Sequence, residues 1–183
     1  MTALADIVAR DVLLGVAEPA DRYAIHAGLD ARWGRRGEVG FLWSLGRVAD
    51  GAAARVRLPP THPDGQAGLP IAGAPAGATL GFRLCANITR KIGHGGARRS
   101  WPREDVAPRL RWLDRRAETH GFAVVAVEAE TERVFIRKGA GFWIDATTFA
   151  GSLTVRDPVR FAAALRGGVG PRAAFGFGLL ETF

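Results

Sequence analysis

The chain has 183 residues, of which 48% are hydrophobic, so it can form one large domain or two small ones with a substantial core. No window approaches the roughly 18 consecutive apolar residues of a membrane span, and residues 1–10 lack the basic start of a signal peptide, so we expect neither feature. Cys85 is the only cysteine, which excludes a disulfide within the chain and favours a reducing cytoplasm.

Arginine dominates the charge of the chain. The formal net charge is +7, and since Lys91 and Lys138 are the only lysines, arginine supplies 23 of the 25 basic residues. A guanidinium group binds phosphate in a bidentate manner and stacks on nucleobases. The composition therefore favours a nucleic-acid partner over a membrane surface or a small acid.

The first half of the chain predicts a β-α-β-β order. The segments are a strand or short helix over 3–9, a helix over 22–33, and strands over 41–48 and 53–58. Asp21 is the expected N-cap of the helix, and its apolar stripe is Ile25, Leu29 and Trp33. Residues 59–78 are rich in Pro, Gly and Ala, so we expect an irregular connection there in place of a second helix.

The second half predicts the order β-α-β-β-α-β. Its strands cover residues 79–88, 122–127, 133–137, 142–149, 151–155 and 177–182. Its helices cover 102–120 and 157–166, and a basic, glycine-rich loop covers 90–99. The first of these helices has an expected core stripe of Val106, Leu110, Leu113 and Ala117. This order is ferredoxin-like. The predicted fold is α+β, with two tandem ferredoxin-like (RRM-like) domains over 1–78 and 79–183, the first one irregular.

A glycine-rich stretch at 168–180 precedes the last predicted strand. Two Gly-x-Gly pairs, Gly168 with Gly170 and Gly176 with Gly178, flank Arg172. Such a loop either turns its amides toward an anion such as phosphate or is a plain turn. Residues 168–173 also fit the dinucleotide pattern G-x-G-x-x-A, but that pattern needs a following βαβ unit, for which too few residues remain.

One face of the first predicted helix combines a phenol and an imidazole. Tyr23, His26 and Asp30 recur at i, i+3 and i+7. An ordinary histidine pKa of about 6.5 suits proton transfer at neutral pH, although a helix histidine that bonds locally fits the same spacing. The other histidines have no motif around them, and the sequence shows no metal-ligand spacing. They are His62, His94 and His120.

Four stretches carry a combined signature. They are 21–29 with Tyr-x-x-His, 82–87 with Phe-Arg-Leu-Cys-Ala-Asn, the basic segment 111–122, and the glycine-rich 168–180. In order and spacing, over nearly the whole chain, they resemble the CRISPR-associated endoribonucleases of the CasE type. The chain differs from that family pattern at four positions. A basic residue is usual at the positions of Ala27 and Ala173, an arginine at Cys85 and a proline at Ile88.

The resemblance implies the crRNA-processing subunit of type I-E Cascade, which cleaves CRISPR repeat RNA at the base of a hairpin without a metal or other cofactor. The 2′-OH attacks the adjacent phosphate and leaves a 2′,3′-cyclic phosphate and a 5′-OH. His26 is then the general acid or base, and Tyr23 orients the phosphate or assists proton transfer. Expected partners are CRISPR repeat RNA and other Cascade subunits, with no membrane. Expected RNA-binding residues are Arg98, Arg99, Arg111, Arg115, Arg116, Arg137, Lys138, Gly168, Gly170, Arg172, Gly176 and Gly178.

Two rival functions remain open from the sequence. One is a non-catalytic subunit that binds the crRNA hairpin, which the departures at Ala27 and Ala173 favour. The other is a ferredoxin-like protein that binds a small anionic metabolite in a closed pocket. In either case, the five tryptophans are interpreted as core residues rather than base-stacking platforms.

Overall fold

The computed structural model describes residues 6–17, 20–48, 51–92, 97–102 and 104–183, with backbone only at 91–92 and 97–99. Its strands are β1 Ile7–Val16, β2 Leu42–Val48, β3 Gly51–Leu58, β4 Leu69–Ala72, β5 Thr79–Asn87, β6 Thr89–Ile92, β7 Ala97–Ser100, β8 Phe122–Ile136, β9 Phe142–Val155 and β10 Leu180–Thr182. Its helices are α1 Arg22–Trp33, α2 Arg36–Val39, α3 Val106–Thr119 and α4 Pro158–Gly167. Two 3₁₀ turns cover Pro63–Gly65 and Ala173–Phe175.

The first sheet has four antiparallel strands in the order β2-β3-β1-β4. The prediction of an irregular connection over 59–78 is wrong at β4, which pairs with β1 at the edge of the sheet. The sequence of β4, Leu-Pro-Ile-Ala, is short and contains a proline, which only an edge strand tolerates because its N–H side needs no partner. The 3₁₀ turn stands between β3 and β4, where a second helix would be expected.

The second sheet has the order β10-β5-β9-β8, again antiparallel throughout. Strands β8 and β9 form one long hairpin, and its tip lies at the predicted turn over 138–141. The prediction of a loop over 90–99 is wrong, since β6 and β7 pair as a small separate hairpin. The glycines of that segment are confined to 93–96, which lie outside the described residues.

Both sheets therefore carry the ferredoxin-like arrangement, in which the fourth and third strands flank the first. The prediction of an α+β fold with two tandem ferredoxin-like domains, the first one irregular, is confirmed. The predicted last strand is shorter than expected, because 177–179 are buried without strand pairing and only β10 joins β5. Among the helices that the structure describes, none is long and apolar enough to cross a membrane.

Side-chain caps fix two of the helices where the sequence predicts them. Asp21 accepts a hydrogen bond from the Tyr23 amide at 2.9 Å and begins α1. Asp157 accepts from the amides of Val159 and Arg160 and begins α4. Each cap satisfies amides that the first turn of a helix leaves without a partner.

The start of α3 differs from the prediction. The helix begins at Val106, not at Pro102, and Val106 is exposed rather than part of the core stripe. Arg109 is buried instead, and its Nη2 donates to the carbonyls of Trp101 and Pro102. These bonds hold the segment before α3 in a turn, so the helix cannot extend toward its predicted start.

A buried ion pair joins the first sheet to the second. Arg57 on β3 donates from Nε and Nη2 to the Asp11 carboxylate at 2.7 and 2.9 Å. Its Nη1 donates to the carbonyls of Leu165 at 3.1 Å and Leu180 at 2.7 Å. We call this contact between β3, β1, α4 and β10 the seam. Because one guanidinium satisfies acceptors from both halves of the chain, the seam fixes how the two sheets meet.

Candidate functional site

Tyr23 and His26 lie on the face of α1 that meets the second half of the chain. Tyr23 packs against an apolar cluster that includes Phe142 on β9 and Phe175 in the glycine-rich stretch. The His26 ring meets the edge of Phe175 with ring centroids 6.4 Å apart, and its side chain is 19% exposed. The predicted phenol and imidazole therefore sit at a junction of α1, the long hairpin and the glycine-rich stretch.

Asp30 holds one edge of the His26 ring. Its Oδ2 lies 3.5 Å from His26 Nε2, and its Oδ1 accepts from the Arg36 amide at 3.1 Å. His26 Nδ1 is buried and has no hydrogen-bond partner among the described residues. Because Nδ1 is buried, Nε2 is the ring nitrogen left for proton transfer, and it faces the Asp30 carboxylate.

Two exposed cations stand beside this pair of side chains. Lys138, at the hairpin tip, has its Nζ 5.9 Å from the centroid of the Tyr23 ring. Arg172, from the glycine-rich stretch, lies over the Phe142 ring at 5.4 Å, and Phe142 in turn meets Phe175 at 5.7 Å. The fold thus brings the Tyr23 and His26 motif near Lys138 and, through Phe142 and Phe175, near Arg172, two residues from separate parts of the sequence.

The glycine-rich stretch does not offer the amides that the sequence hypothesis gave it. The amides of Gly168, Gly176 and Gly178 donate to the carbonyls of Ala164, Ala173 and Cys85 at 2.8, 3.1 and 2.8 Å. Three of the four glycine amides are thus occupied within the chain. In this conformation, the charge that the stretch presents to an anion comes from the Arg172 side chain.

Those glycines instead permit close packing. Gly176 has φ +75°, and a Cβ there would lie 2.7 Å from both Trp43 Cζ3 and Arg22 Nη1. Gly170 has φ +95°, and a Cβ would lie 3.0 Å from the Trp112 ring. Only glycine combines positive φ with so little space, so the stretch is shaped by its contacts with α3 and the first sheet.

Arg22, next to the catalytic candidate Tyr23, fastens this stretch to α1. Its Nη1 donates to the carbonyls of Phe175 at 3.0 Å and Gly176 at 3.2 Å, and its guanidinium lies 4.7 Å from the Phe177 ring centroid. Burial lowers the pKa of Arg22. Arg22 was not predicted as part of the site, because no local sequence pattern distinguishes a buried arginine from an exposed one.

The predicted RNA-binding arginines of α3 lie away from His26. Arg111, Arg115 and Arg116 are exposed on α3, which packs on the opposite face of the second sheet through Trp112 and Phe149. Arg137 is exposed at the hairpin tip, near Lys138. Arg98 and Arg99 belong to β7, and their side chains lie outside the described residues.

The apolar departures from the family pattern belong to the interior. Cys85 is buried in the cluster beneath Tyr23, and burial raises the pKa of its thiol. Ile88 is fully buried, whereas Ala27 is exposed on α1. These side chains therefore fill the core or leave the surface uncharged, and none adds a group to the site.

The tryptophans divide into two classes, and the prediction that all five are core residues is wrong. Trp33, Trp43 and Trp112 are buried, and Trp101 is partly buried. Trp143 on β9 is 57% exposed. Its position on a strand did not reveal that the elements described by the structure leave this part of the hairpin uncovered.

The comparisons with known proteins converge on one family. Residues 17–182 match the family model described as CRISPR associated protein. A stretch of 122 residues is 37% identical to the CRISPR-associated endoribonuclease Cse3 of Thermus thermophilus, and it covers 58% of this chain. That stretch spans 56% of the relative, little more than half of its length.

Solved structures extend the likeness to nearly the whole chain. T. thermophilus Cse3 bound to an RNA that represents a pre-cleavage complex is similar with a TM-score of 0.79 and 27% identity, covering 96% of this chain and 98% of that one. Cse3 bound to a 19-nucleotide RNA is similar with a TM-score of 0.76 and 26% identity, covering 96% of this chain and 99% of that one. Cas6e of Escherichia coli, at 0.69 and 22% over 95% and 97%, shares the fold. The chain belongs to the CRISPR-associated protein family and is a protein of the CasE type.

Proposed function

We propose that this chain is an endoribonuclease that cleaves CRISPR repeat RNA at the base of a hairpin to give mature crRNA. The observation that carries the proposal is the meeting of Tyr23 and His26 with the exposed cations Lys138 and Arg172. Relatives that share this fold are named CRISPR endoribonucleases and are bound to RNA in their structures.

The reaction needs two proton transfers and a place for negative charge. The 2′-OH attacks the adjacent phosphorus, loses its proton and forms a 2′,3′-cyclic phosphate, while the departing oxygen gains a proton as a 5′-OH. His26 Nε2 transfers one of these protons as general acid or base, and Tyr23 orients the phosphate or assists the transfer. Asp30 positions the imidazole from its outer edge.

Charge on the phosphorane is balanced by the two cations at the site. Lys138 and Arg172 approach from different segments, so they can hold the phosphate from two sides. Neither role requires a metal ion or other cofactor. The glycines at 168, 170, 176 and 178 contribute by shaping the stretch that carries Arg172 rather than by donating amides.

Binding of the RNA hairpin uses arginines outside the reacting centre. Arg137 and Lys138 bind the stem from the hairpin tip, and exposed arginines track the phosphates of the backbone. These arginines are Arg98, Arg99, Arg111, Arg115 and Arg116. Because the contacts are mostly to phosphates, affinity should fall steeply as salt concentration rises.

We also assign the organisation around this activity. The two ferredoxin-like domains span 1–78 and 79–183, since β1–β4 lie in the first sheet and β5 begins the second. The partners are CRISPR repeat RNA and the other subunits of Cascade, and the protein acts in the cytoplasm.

A second candidate function is a subunit that binds the crRNA hairpin without cutting it. The observation in its favour is Ala173, where the family usually has a basic residue. Arg172 beside it is exposed and supplies the missing charge in the first proposal.

One cleavage assay tests these proposals. End-labelled repeat RNA is incubated with the protein in excess EDTA, and the products are analysed for a 2′,3′-cyclic phosphate. We expect cleavage by the wild type, a loss of about 10²–10⁴-fold in His26→Ala, and little change in His120→Gln, a histidine remote from the site. Wild-type binding without cleavage would establish the non-catalytic function. Cleavage that EDTA abolishes would overturn metal independence, and cleavage by His26→Ala at the wild-type rate would overturn its role.

A further inference from the structure

The outer face of the long hairpin carries an uncovered aromatic pair. Phe135 on β8 and Trp143 on β9 are directly opposite in the register, with ring centroids 5.0 Å apart. They are 41% and 57% exposed. Two large aromatic rings left in solvent side by side mark a surface that binds something.

This pair faces away from His26. Side chains alternate along β9, so Trp143, Asp145, Thr147 and Phe149 share one face of the sheet. Phe149 is covered by Trp112 of α3 with the two rings stacked, and Arg109 near the start of α3 reaches Thr147 at 3.2 Å. The aromatic pair lies farther along the hairpin than both contacts, on the part of this face nearest the tip.

The opposite face of the same hairpin segment belongs to the candidate site. Ile136 and Ile144 point that way and are buried in the cluster that contains Phe175 and receives Tyr23. Lys138 follows two residues after Ile136 and lies over the Tyr23 ring. An RNA strand held beside Tyr23 thus has only the hairpin tip to pass before it reaches the outer face.

Positive charge surrounds the aromatic pair. The Arg133 guanidinium lies 4.8 Å from the Trp143 ring centroid, and Arg137 is exposed nearby. The carboxylate of Asp145 on this face pairs with Arg133 at 4.0 Å. The Arg133 guanidinium over the Trp143 indole, with the exposed Arg137 nearby, favours a planar, anionic ligand.

A second arginine–tryptophan stack lies toward α3 on the same side. Arg90 stands over Trp101 at 4.3 Å. The Trp101 carbonyl accepts from Arg109, whose other terminal nitrogen donates to Thr147, four residues along β9 from Trp143. Four strand residues span about 13 Å, which is the distance along β9 from Trp143 to the residue that Arg109 contacts.

We propose that Phe135, Trp143 and Arg133 form a stacking subsite for an unpaired nucleobase of the RNA, next to the hairpin stem. This inference rests on the proposed RNA-cleaving function. A base inside a stem has both faces covered by neighbouring base pairs, whereas an unpaired base offers a free face to an aromatic ring. Stacking tolerates any base, and Arg133 and Arg137 lie where the phosphates on either side would run.

The test compares two RNAs. One is the repeat hairpin with its single-stranded flanks, carrying 2-aminopurine at successive unpaired positions, and the other is the stem-loop alone. We expect Trp143→Ala to weaken binding of the flanked RNA by about 5- to 150-fold and to abolish fluorescence quenching at one flank position. Trp143→Phe should retain most of the affinity, and stem-loop binding should be unchanged in both variants.

Val125→Ala is the matched control, since Val125 is an equally exposed apolar residue on β8 outside the proposed subsite. Equal losses for both RNAs would mean that the pair contacts the stem, and the proposal would be wrong. Unchanged RNA affinity together with lost assembly into a protein complex would assign the surface to a protein partner and also overturn it. If Trp143→Ala binds and cleaves both RNAs as well as the wild type does, the stacking subsite is wrong and the proposed function stands. A wild type that binds neither RNA defeats the proposed function.

Discussion

The seam and the hairpin tip use arginine in opposite ways. At the seam, Arg57 is buried and donates hydrogen bonds to a carboxylate and two backbone carbonyls. At the tip, Arg133 and Arg137 are exposed, and Arg133 lies over an aromatic ring. One residue type thus satisfies acceptors inside the protein and offers charge outside it.

Because some arginines are buried, the net charge of the chain overstates the charge that a ligand can reach. Arg22, Arg57 and Arg109 are buried and bonded to backbone carbonyls, so they add to the formal charge of +7 without reaching a ligand. Exposed arginines, in contrast, lie at the hairpin tip, in the glycine-rich stretch and on α3, among other places on the surface. Variants at the two kinds of position should therefore separate stability from activity.

The largest effect is expected at the seam. Among the described residues, Arg57→Met leaves the 2%-exposed Asp11 with the 3.4 Å contact to Arg55 alone, and the carbonyls of Leu165 and Leu180 lose this donor. The free energy of unfolding should fall by about 3–5 kcal/mol. Urea denaturation followed by circular dichroism measures it.

Two further variants make that result specific. Arg115→Met, on the exposed face of α3, should change the unfolding free energy by no more than about 0.5 kcal/mol. The double variant Asp11→Leu/Arg57→Met should recover much of the loss, because no charge is then left buried without its partner. Equal stability of Arg57→Met and the wild type would show that the seam does not hold the sheets together.

A smaller effect is expected at Gly176, where the glycine-rich stretch meets Arg22 of α1 and Trp43 of β2. Gly176→Ala and Gly40→Ala place a Cβ at nearly the same φ, +75° and +79°, but only the first meets Trp43 and Arg22. Gly40→Ala should cost about 1–2 kcal/mol from backbone strain alone. Gly176→Ala should cost about 1–3 kcal/mol more, from overpacking.

Thermal unfolding of the two glycine variants measures the difference. A matching loss in both would mean that the stretch yields easily and that close packing does not explain its glycines. The comparison isolates crowding, because Gly40 has nothing within 4 Å of the added atom.

The smallest effect is expected at Arg172. Arg172→Ala removes one of two cations beside the phosphate, and cleavage should slow about tenfold, equivalent to ~1.4 kcal/mol. Arg172→Lys should retain more activity, and single-turnover cleavage rates measure both. Arg166→Ala, an exposed arginine on α4, is the control. A wild-type rate in Arg172→Ala would mean that Arg172 does not replace the basic residue absent at position 173.

The strand and helix order was predictable from the sequence because it depends on local patterns. Alternation and turn residues predicted the four-strand order of the second half, and Asp21 and Asp157 fixed the starts of α1 and α4 through local caps. The shared face of Tyr23 and His26 follows from helical spacing alone, and it places them together in the structure. These features need only residues within a few positions of one another.

Other features depend on partners distant in the chain. The strand β4 forms because β1 offers it an edge, and Arg109 is buried because Thr147, 38 residues away, accepts its hydrogen bond. Trp143 is exposed because it lies on β9 beyond Thr147, where the start of α3 contacts the strand, and no pattern within β9 reveals this.

The sequence by itself thus determined the order of the main strands and helices, the caps and the Tyr23–His26 face, since each is set by short-range sterics and hydrogen bonds. Only the tertiary structure decided which arginines are buried and which glycine amides are occupied. It also decided that Lys138 lies over Tyr23 and that Arg172 lies over Phe142, which meets the Phe175 ring beside His26. The physical reason is that burial and the proximity of charges depend on segments that folding brings together. The spacing of residues in the sequence does not give the distance between such segments in space.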